Sequence, residues 1–352
     1  MKITCSKSEL LTGINIALRA VPSKSTLPIL ESLLITADNE ITITSNDNDM
    51  AIKTIVEGVV TERGQIAVEA RLFSEIIRKL PENDVYIEAD FNYRIRITCE
   101  DSLFQVSGNN PDEFPDLPET GITKKISISE FTLKEMIRQT IFSIAGNEAN
   151  ELMKGELFSI SGDNLKLVSL DGYRISIRNE KMAFSYEDSE VIVPGKTLNE
   201  IIKILNGNQD QIVELEFDKR FIKFHMKGTI VISRLIEGEF FNTYQYIKNG
   251  NERIFKKWFY SSGVEVIMSH AKEMVTIIEE NKMDFMNRID RAIILTREGD
   301  KKPVVLEIRD DFNMLGLRHN LHLPHGILKS LGDIKCFLLQ GETGILQPRE
   351  FQ

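Results

Sequence analysis

The 352-residue sequence is poor in cysteine and has no long hydrophobic run. Its three cysteines, Cys5, Cys99 and Cys336, are odd in number, far apart and without a CxxC pair. This spacing disfavours a disulfide framework and a zinc site and favours a reducing compartment, so we predict a cytoplasmic protein. The amino terminus lacks the apolar core of a signal peptide, and no stretch reaches the roughly 20 apolar residues of a membrane span. We therefore expect no membrane association.

Motifs that mark common active sites are also missing. The sequence has no GxxxxGK(S/T) phosphate loop, no GxGxxG after a strand, no GxSxG elbow and no HExxH. His319, His322 and His325 are spaced by three, but Pro324 interrupts any helix that would align them on one face. Loop histidines are therefore a better interpretation than a metal site. We predict no catalytic residue, no metal and no cofactor, which means a protein that is not an enzyme.

Acidic runs at 46–49 and at Asp310 and Asp311 leave one enzymatic alternative open. Carboxylate clusters can bind divalent cations that assist phosphoryl or sugar hydrolysis. The first run recurs at a strand end in the internal repeat described below, and Asn and Asp favour turns through their own side-chain hydrogen bonds. Turn formation is thus the favoured interpretation, and a metal-dependent hydrolase is the less favoured alternative.

Positive charge is in deficit, which at first argues against a nucleic-acid partner. The chain has 43 Lys and Arg against 53 Asp and Glu, a formal net charge of −10. Proteins that bind nucleic acid usually carry a basic surface. A polyanion, however, responds to the local face that it meets and not to the sum of all charges. The distribution of the cations along the chain must decide.

An internal repeat is the most informative feature of the sequence. ARLFSEIIRKL at 70–80 recurs as GKTLNEIIKIL at 195–205, an offset of 125, and ITITSND at 41–47 matches LKLVSLD at 165–171, an offset of 124. A third, damaged copy is indicated by residues 285–291 and 326–331, but the spacing between its two helices is too short. We predict a first domain at 1–121, a second at 122–248, an atypical linker or insertion at 249–280, and an incomplete third domain at 281–352.

Each copy changes its hydrophobic period along the chain. Leu11, Ile14 and Leu18 fall at helical spacing, while 41–44 and 95–98 alternate between apolar and polar residues. Alternation on one face is typical of antiparallel strands whose other face is solvated. We expect each complete domain to contain a helix, about three strands, a second helix and about four strands. The predicted class is α+β, with three tandem domains, helices on one face and antiparallel sheets on the other.

The cations concentrate on the predicted helices and the acids on the predicted sheets. A basic residue recurs at one aligned place in the second helix of every copy, as Arg78, Lys203 and Lys329. Any single one of these has a plain interpretation as a solvated helix face, but the recurrence favours a shared role. Basic helices would let an acidic protein hold a polyanion without reading its bases. The helix cations predicted to contact such a polyanion are Arg71, Arg78, Lys79, Lys134, Arg138, Lys196 and Lys203.

Three segments carry a family resemblance. VPSKSTLPIL at 21–30, EFPD at 113–116 and LDGYR at 170–174 together resemble the beta subunits of bacterial DNA polymerase III, the replicative sliding clamps. The resemblance runs through 1–247 and, in patches, through 281–337. It implies clamp-fold domains whose helices line a channel for duplex DNA, a head-to-tail homodimer, and short peptide motifs of the polymerase catalytic subunit and the clamp loader as partners.

The resemblance also implies roles for particular residues. Lys24 stands where a DNA-contacting arginine is usual, and Tyr173 and Arg174 lie on a loop that touches DNA; the other channel loop, at 147–151, carries two acids here. The partner-peptide pocket would use Met153, Leu170, Gly172, Ile175 and Ile247. The dimer interface would use Ile76, Leu80, Phe104 and Val106 on the first domain and Ile294 and Leu295 on the third.

Two interpretations of a clamp-like chain therefore remain open, in addition to the alternative of a metal-dependent hydrolase. One is a processivity factor that encircles duplex DNA and tethers the replicative polymerase. The other is a degenerate clamp whose shortened third domain cannot close a ring.

Overall fold

The computed structural model describes residues 1–118, 121, 124–146, 150–171 and 175–241, together with the backbone of three strands at 304–308, 315–319 and 334–336. The chain divides into two compact units, one formed by residues 1–170 and 176–240 and the other by residues 171–175 and 241–352. The first unit contains the first repeat and the second repeat apart from residues 171–175 and 241–248. Among the described residues, no helix has the length and hydropathy needed to cross a membrane.

The first repeat places a strand before its first helix. β1 leads into α1, five strands separate α1 from α2, and three strands follow α2, which differs from the expected three and four. The opening strand is short, and it pairs with β7 far along the chain, so local periodicity does not reveal it. The elements are β1 (Lys2–Ser6), α1 (Lys7–Ala17), β2 (Ser32–Ala37), β3 (Ile41–Asn46), β4 (Met50–Val56), β5 (Val59–Glu62), β6 (Gly64–Glu69), α2 (Ala70–Lys79), β7 (Asp84–Ala89), β8 (Arg94–Cys99) and β9 (Ser102–Ser107).

The two helices of the first repeat begin at polar caps. The Ser6 hydroxyl accepts the Glu9 amide at the start of α1, and the Glu69 carboxylate accepts the amides of Arg71 and Leu72 at the start of α2. α1 buries Leu10, Gly13, Ile14 and Ala17. A glycine inside a helix normally costs stability, but a Cβ at Gly13 would lie 2.5 Å from Val56 Cγ2. The missing side chain lets α1 pack directly on β4.

The second repeat follows the same order with longer strands. In it, β11 and β12 form a two-stranded sheet, and Gly162 within β11 has φ +58°, a conformation that favours glycine. Its elements are β10 (Lys124–Ser129), α3 (Glu130–Thr140), β11 (Gly155–Leu170), β12 (Ile175–Pro194), α4 (Gly195–Ile204), β13 (Ile212–Phe217), β14 (Phe221–Met226) and β15 (Thr229–Arg234). α2 and α4 begin at residues 70 and 195, so the offset of 125 seen in the sequence is structural.

A continuous sheet joins the two repeats. Its eight strands run in the order β10-β13-β14-β15-β4-β3-β2-β6, and the seam is the antiparallel pair of β15 with β4. The seam also shares a core, because Ala20, Met50 and Ile52 of the first repeat pack within the hydrophobic cluster of the second. The remaining strands of the first repeat form a five-stranded antiparallel sheet, β5-β1-β7-β8-β9, in which β9 is an edge. The repeats therefore form one packed body.

The repeats also agree in a buried hydrogen bond. The Ser45 hydroxyl donates to the Ala17 carbonyl at 2.6 Å, and the Ser169 hydroxyl donates to the Thr140 carbonyl. The serines are 124 positions apart and the acceptors 123, and each serine bonds the last residue of the first helix in its own repeat. This pair secures the helix end to the sheet in both copies.

The second unit contributes three described strands, β16 (Val304–Ile308), β17 (Leu315–His319) and β18 (Ile334–Cys336). They form an antiparallel sheet in the order β17-β16-β18. The helices expected near 285–291 and 326–331 lie outside the described residues, as do the linker at 249–280 and Asp310 and Asp311.

Candidate nucleic-acid interface

The helix α2 presents its cations on the face opposite the core. Phe73, Ile76 and Ile77 are buried, while Arg71 and Arg78 are exposed, seven residues apart and therefore on one side of the helix. Lys79 extends the same exposed face. The acid Glu75 lies between these cations, yet within the described part of the chain none of the three makes an ion pair. α2 thus carries a surface of uncompensated positive charge.

A loop before β2 is attached to this helix. The Arg71 guanidinium donates to the Ser23 carbonyl at 3.1 Å, next to the exposed Lys24. The loop is further ordered by Glu31, whose carboxylate accepts the Ser25 amide at 3.0 Å. Lys24, predicted from the resemblance, therefore lies beside the helix cations predicted from the repeat. We call Lys24, Arg71, Arg78 and Lys79 the first-repeat surface.

The aligned cations of α4 are in a different environment. Lys196 forms an ion pair with Asp47 of the first repeat, whose side chain is only 5% exposed. Glu200 accepts Arg19 of the first repeat at 3.1 Å and Lys203 at 2.7 Å. These pairs bring the end of α1 next to α4, so helices of both repeats lie on the same side of the shared sheet. The charge of α4 is largely compensated where it stands.

The cations of α3 are also engaged. Lys134 donates to the Leu205 carbonyl at 2.6 Å, just beyond the end of α4, where helix carbonyls lack partners. Arg138 makes two hydrogen bonds with Glu135, at 2.7 and 3.0 Å, and this partner raises the pKa of the guanidinium. Lys134 therefore supports the packing of α3 on α4 and is half-buried, while Arg138 is exposed but paired.

Some residues of the predicted peptide pocket and dimer interface lie in the described part of the chain, and others lie outside it. In the peptide pocket, Met153 is half-buried and Leu170 is fully buried, so Leu170 presents no surface to a ligand in this conformation. Of the predicted dimer contacts, Ile76 is 7% and Leu80 is 4% exposed, and both belong to the first-repeat core. The residues outside the described part are Gly172, Tyr173, Arg174, Ile247, Ile294 and Leu295, along with the side chain of Ile175 and the loop residues 147–149.

The edge strand β9 retains apolar exposure. Leu103 is 51% and Phe104 is 37% exposed, whereas Val106 is half-buried against the core. An unpaired strand edge that carries exposed apolar side chains can pair with another chain. Phe104 and Val106 thus lie where an intermolecular sheet could continue.

The acidic run at 46–49 forms a turn. The Asn46 side chain accepts the Asn48 amide at 2.7 Å, and one Asp47 oxygen accepts the amides of Asp49 and Met50 at 3.1 and 2.7 Å. Asn48 has φ +74°, which suits asparagine. Throughout the described ranges, no three His, Cys, Asp or Glu side chains approach closely enough to hold a metal ion. The turn interpretation is confirmed, and Cys5 and Cys99 are free and buried.

One buried acid was not anticipated. Glu156, on β11, is fully buried, and neither carboxylate oxygen has a hydrogen-bond partner among the described residues. Burial raises the pKa of this carboxyl to about 8, with the Thr140 hydroxyl opposing the shift in part. The position matches Ser32 of the first repeat, so comparing the repeats could have flagged it.

The architecture defines a class of protein. Tandem helix-and-sheet domains share a continuous sheet, place their helices on one side and carry cations there, which is the organisation of a DNA clamp. Family models agree: the DNA polymerase III beta subunit N-terminal domain matches residues 1–118, and its central domain matches residues 127–242.

Individual relatives extend the match into the remaining chain. The beta sliding clamp of Bacillus subtilis is 30% identical over 319 residues, covering 88% of this chain and 78% of the relative, and that of Staphylococcus aureus is 29% identical over 320 residues with the same coverage. A structure assigned as a DNA polymerase III beta subunit from Eubacterium rectale is 42% identical with a TM-score of 0.76, covering 92% of this chain and 81% of that one. The Bacillus subtilis clamp structure is 27% identical with a TM-score of 0.75, covering 97% and 85%.

The chain belongs to the beta sliding clamp family, the beta subunits of DNA polymerase III, and it is a DNA sliding clamp. The family is an accessory processivity factor in DNA replication.

Proposed function

We propose that this chain closes around duplex DNA as a head-to-tail homodimer and tethers the replicative polymerase to its template. The observation that carries the proposal is the eight-stranded sheet that continues from one repeat into the next, with helices of both repeats joined on one side of it by the Arg19–Glu200 and Lys196–Asp47 pairs. Continuing such a sheet through further domains would produce a curved wall with a helical inner lining. Topological linkage then supplies processivity, and the affinity for any one site can stay low.

The DNA contact would be electrostatic and independent of sequence. Lys and Arg neutralise phosphates and release counterions, so binding weakens steeply with salt. Contacts to the backbone fix orientation without reading bases. The proposed set comprises the first-repeat surface, Lys134, Arg138, Lys196 and Lys203 on the helices of the second repeat, and Tyr173 and Arg174.

Partner proteins would dock away from the helices through short peptides. The proposed pocket uses Met153, whose half-buried thioether is adaptable to apolar ligands, with Leu170, Gly172, Ile175 and Ile247. The ligands would be apolar motifs of the DNA polymerase III catalytic subunit and of the clamp loader.

Ring closure would use the free edge of β9. An incoming strand of the partner subunit would pair with β9 and cover Phe104 and Val106, while Ile76 and Leu80 support the sheet from the core and leave little area for direct contact. On the other side the proposed contacts are Ile294 and Leu295. The protein would act in the cytoplasm, without catalysis and without a cofactor.

The test of ring closure and encirclement uses the full chain. Light scattering gives its stoichiometry, and retention on nicked circular DNA after loading by the clamp loader, compared with linearised DNA, gives encirclement. We expect a dimer that is retained on the circle and lost on linearisation. A monomer at micromolar concentration, or equal retention on both DNAs, would overturn the proposal.

Two matched variants sharpen this test. Phe104→Asp places a charge on the β9 edge and should yield a monomer that is not retained. Phe91→Asp alters an 89% exposed phenylalanine in the turn between β7 and β8 of the same sheet, away from that edge. It should remain dimeric and be retained.

A further inference from the structure

We infer that the first repeat holds the DNA backbone, through the first-repeat surface, and that the matching cations of the second repeat serve the junction between the repeats. This inference rests on the proposed function, because it assigns shares within the same DNA contact. It separates cations that sequence alone treats as equivalent.

The two second helices carry three charges at matching places, and α2 has one further cation, Lys79, where α4 has Ile204. With the offset of 125, Arg71 matches Lys196, and the acid between the cations, Glu75, matches Glu200. The second cation of the pair is Arg78 in α2 and Lys203 in α4. For these matched charges, a difference in DNA contact has to come from the surroundings.

The surroundings of α4 neutralise its charges. Asp47 reaches Lys196 from the turn after β3 of the first repeat, and Arg19 reaches Glu200 from the end of α1. Glu200 also holds Lys203 at 2.7 Å. Both interrepeat pairs cross the seam beside β4 and β15, where the Arg234 amide also donates to the Asp49 carbonyl at 2.8 Å. A phosphate would have to compete with carboxylates already in place.

The surroundings of α2 leave its charges available. In the described ranges no acid lies within ion-pair distance of Arg71, Arg78 or Lys79. Their hydrogen-bond acceptors are neutral, the Ser23 carbonyl for Arg71 and the Ser74 hydroxyl for Arg78 at 3.3 Å. The Arg71 contact also holds the loop of Lys24 against the helix. Four cations thus form one surface without a carboxylate partner.

The difference predicts unequal salt dependence. Each phosphate contact contributes about 0.9 to the slope of log affinity against log salt. Removing two contacting cations should therefore lower the slope by about 1.8, by the same rule. Removing two cations that are already paired should lower it by less than about half of that amount, because few counterions were displaced there.

The experiment compares two double variants of the full chain that remove equal charge from aligned helices. One is Arg78→Gln with Lys79→Gln, and the other is Lys196→Gln with Lys203→Gln. Equilibrium binding to a short labelled duplex is measured by fluorescence anisotropy over a series of salt concentrations. Circular dichroism of each variant verifies that it is folded.

The outcomes separate the inference from the proposed function. The inference is supported if the α2 variant loses at least twice as much slope as the α4 variant. Equal losses, or a larger loss for the α4 variant, overturn it while retention of the wild-type chain on circular DNA keeps the proposed function intact. A wild-type chain that neither binds duplex nor is retained on circles overturns both.

Discussion

The buried carboxyl of Glu156 gives the protein a pH-dependent stability that one substitution should remove. Its pKa in the folded chain is about 8, against an ordinary value of 4.5. Because the folded pKa lies above the unfolded one, the contribution of this residue to stability is fully present below pH 4.5 and is lost as the pH rises to about 8. Folding near neutral pH therefore takes up a proton.

The magnitude follows from the two pKa values. One pKa unit corresponds to about 1.4 kcal/mol. Relative to low pH, Glu156 therefore lowers the free energy of unfolding by about 3 kcal/mol at pH 7 and by about 5 kcal/mol well above pH 8. Between these pKa values the free energy of unfolding should fall by about 1.4 kcal/mol per pH unit from this group alone. Glu156→Gln keeps the shape of the side chain and cannot ionise, so its stability should lack this component.

The assay is urea unfolding followed by far-ultraviolet circular dichroism at several pH values between 5.5 and about 7.5, a window chosen to lie between the two pKa values. The quantity compared is the slope of stability against pH, which counts protons and does not depend on how the new amide packs. Glu237→Gln, which changes an exposed acid of the same repeat, is the control and should retain the wild-type slope. Difference infrared spectroscopy should also detect a protonated carboxyl at pH 7 in the wild type that the Glu156 variant lacks. Parallel stability curves for wild type and Glu156→Gln would refute the reasoning.

Two further substitutions test the packing. Gly13→Ala should destabilise the protein by about 1–3 kcal/mol, although alanine is the better helix former, because its Cβ would overlap Val56. In thermal unfolding, adding Val56→Ala to Gly13→Ala should relieve part of this cost. Additive costs of the two substitutions would contradict the explanation. Asp47→Asn keeps the turn acceptor and loses only the ion pair with the 63% exposed Lys196, so urea unfolding should give a cost of at most about 1 kcal/mol. Asp47→Ala also loses the hydrogen bonds of the turn and should cost about 2–3 kcal/mol. Equal costs would contradict the role of Asp47 in both the ion pair and the turn.

Much of the fold could be predicted because the signals are local. The repeat at an offset of 125 located α2 and α4, and alternation located β3 and β8. The acidic run at 46–49 was correctly interpreted as a turn, since Asn and Asp bond backbone amides two or three residues away. The missing information was nonlocal: β1 precedes α1 but pairs with β5 and β7, so its place in the sheet is fixed by residues about 60 to 90 positions later.

The position of the candidate site could be predicted from the sequence, but the ion pairs of its cations could not. Spacing identifies which residues share a helix face, and the cations of α2 are exposed as expected. It does not identify the carboxylate opposite each cation, because Lys196 and Asp47 are separated by 149 positions and Arg19 and Glu200 by 181. A charge pattern therefore predicts which cations could contact DNA, and only the packing tells which are already occupied.

The same contrast applies inside the core. Ser32 and Glu156 are equivalent positions, and so are Ala17 and Thr140 at the ends of the first helices. In the first repeat Ser32 accepts a hydrogen bond from Asn109 at 3.2 Å, so a small hydroxyl suffices. In the second repeat, the carboxyl of Glu156 replaces the Ser32 hydroxyl, and the hydroxyl side chain of Thr140 replaces the methyl of Ala17. The Thr140 hydroxyl donates to two helix carbonyls, and neither Glu156 oxygen has a hydrogen-bond partner among the described residues, so burial outweighs the opposing effect of this hydroxyl on the Glu156 pKa. With no described cation paired to the carboxyl, the second repeat therefore favours the neutral acid, and a position that is a simple polar contact in one copy becomes a proton-binding site in the other.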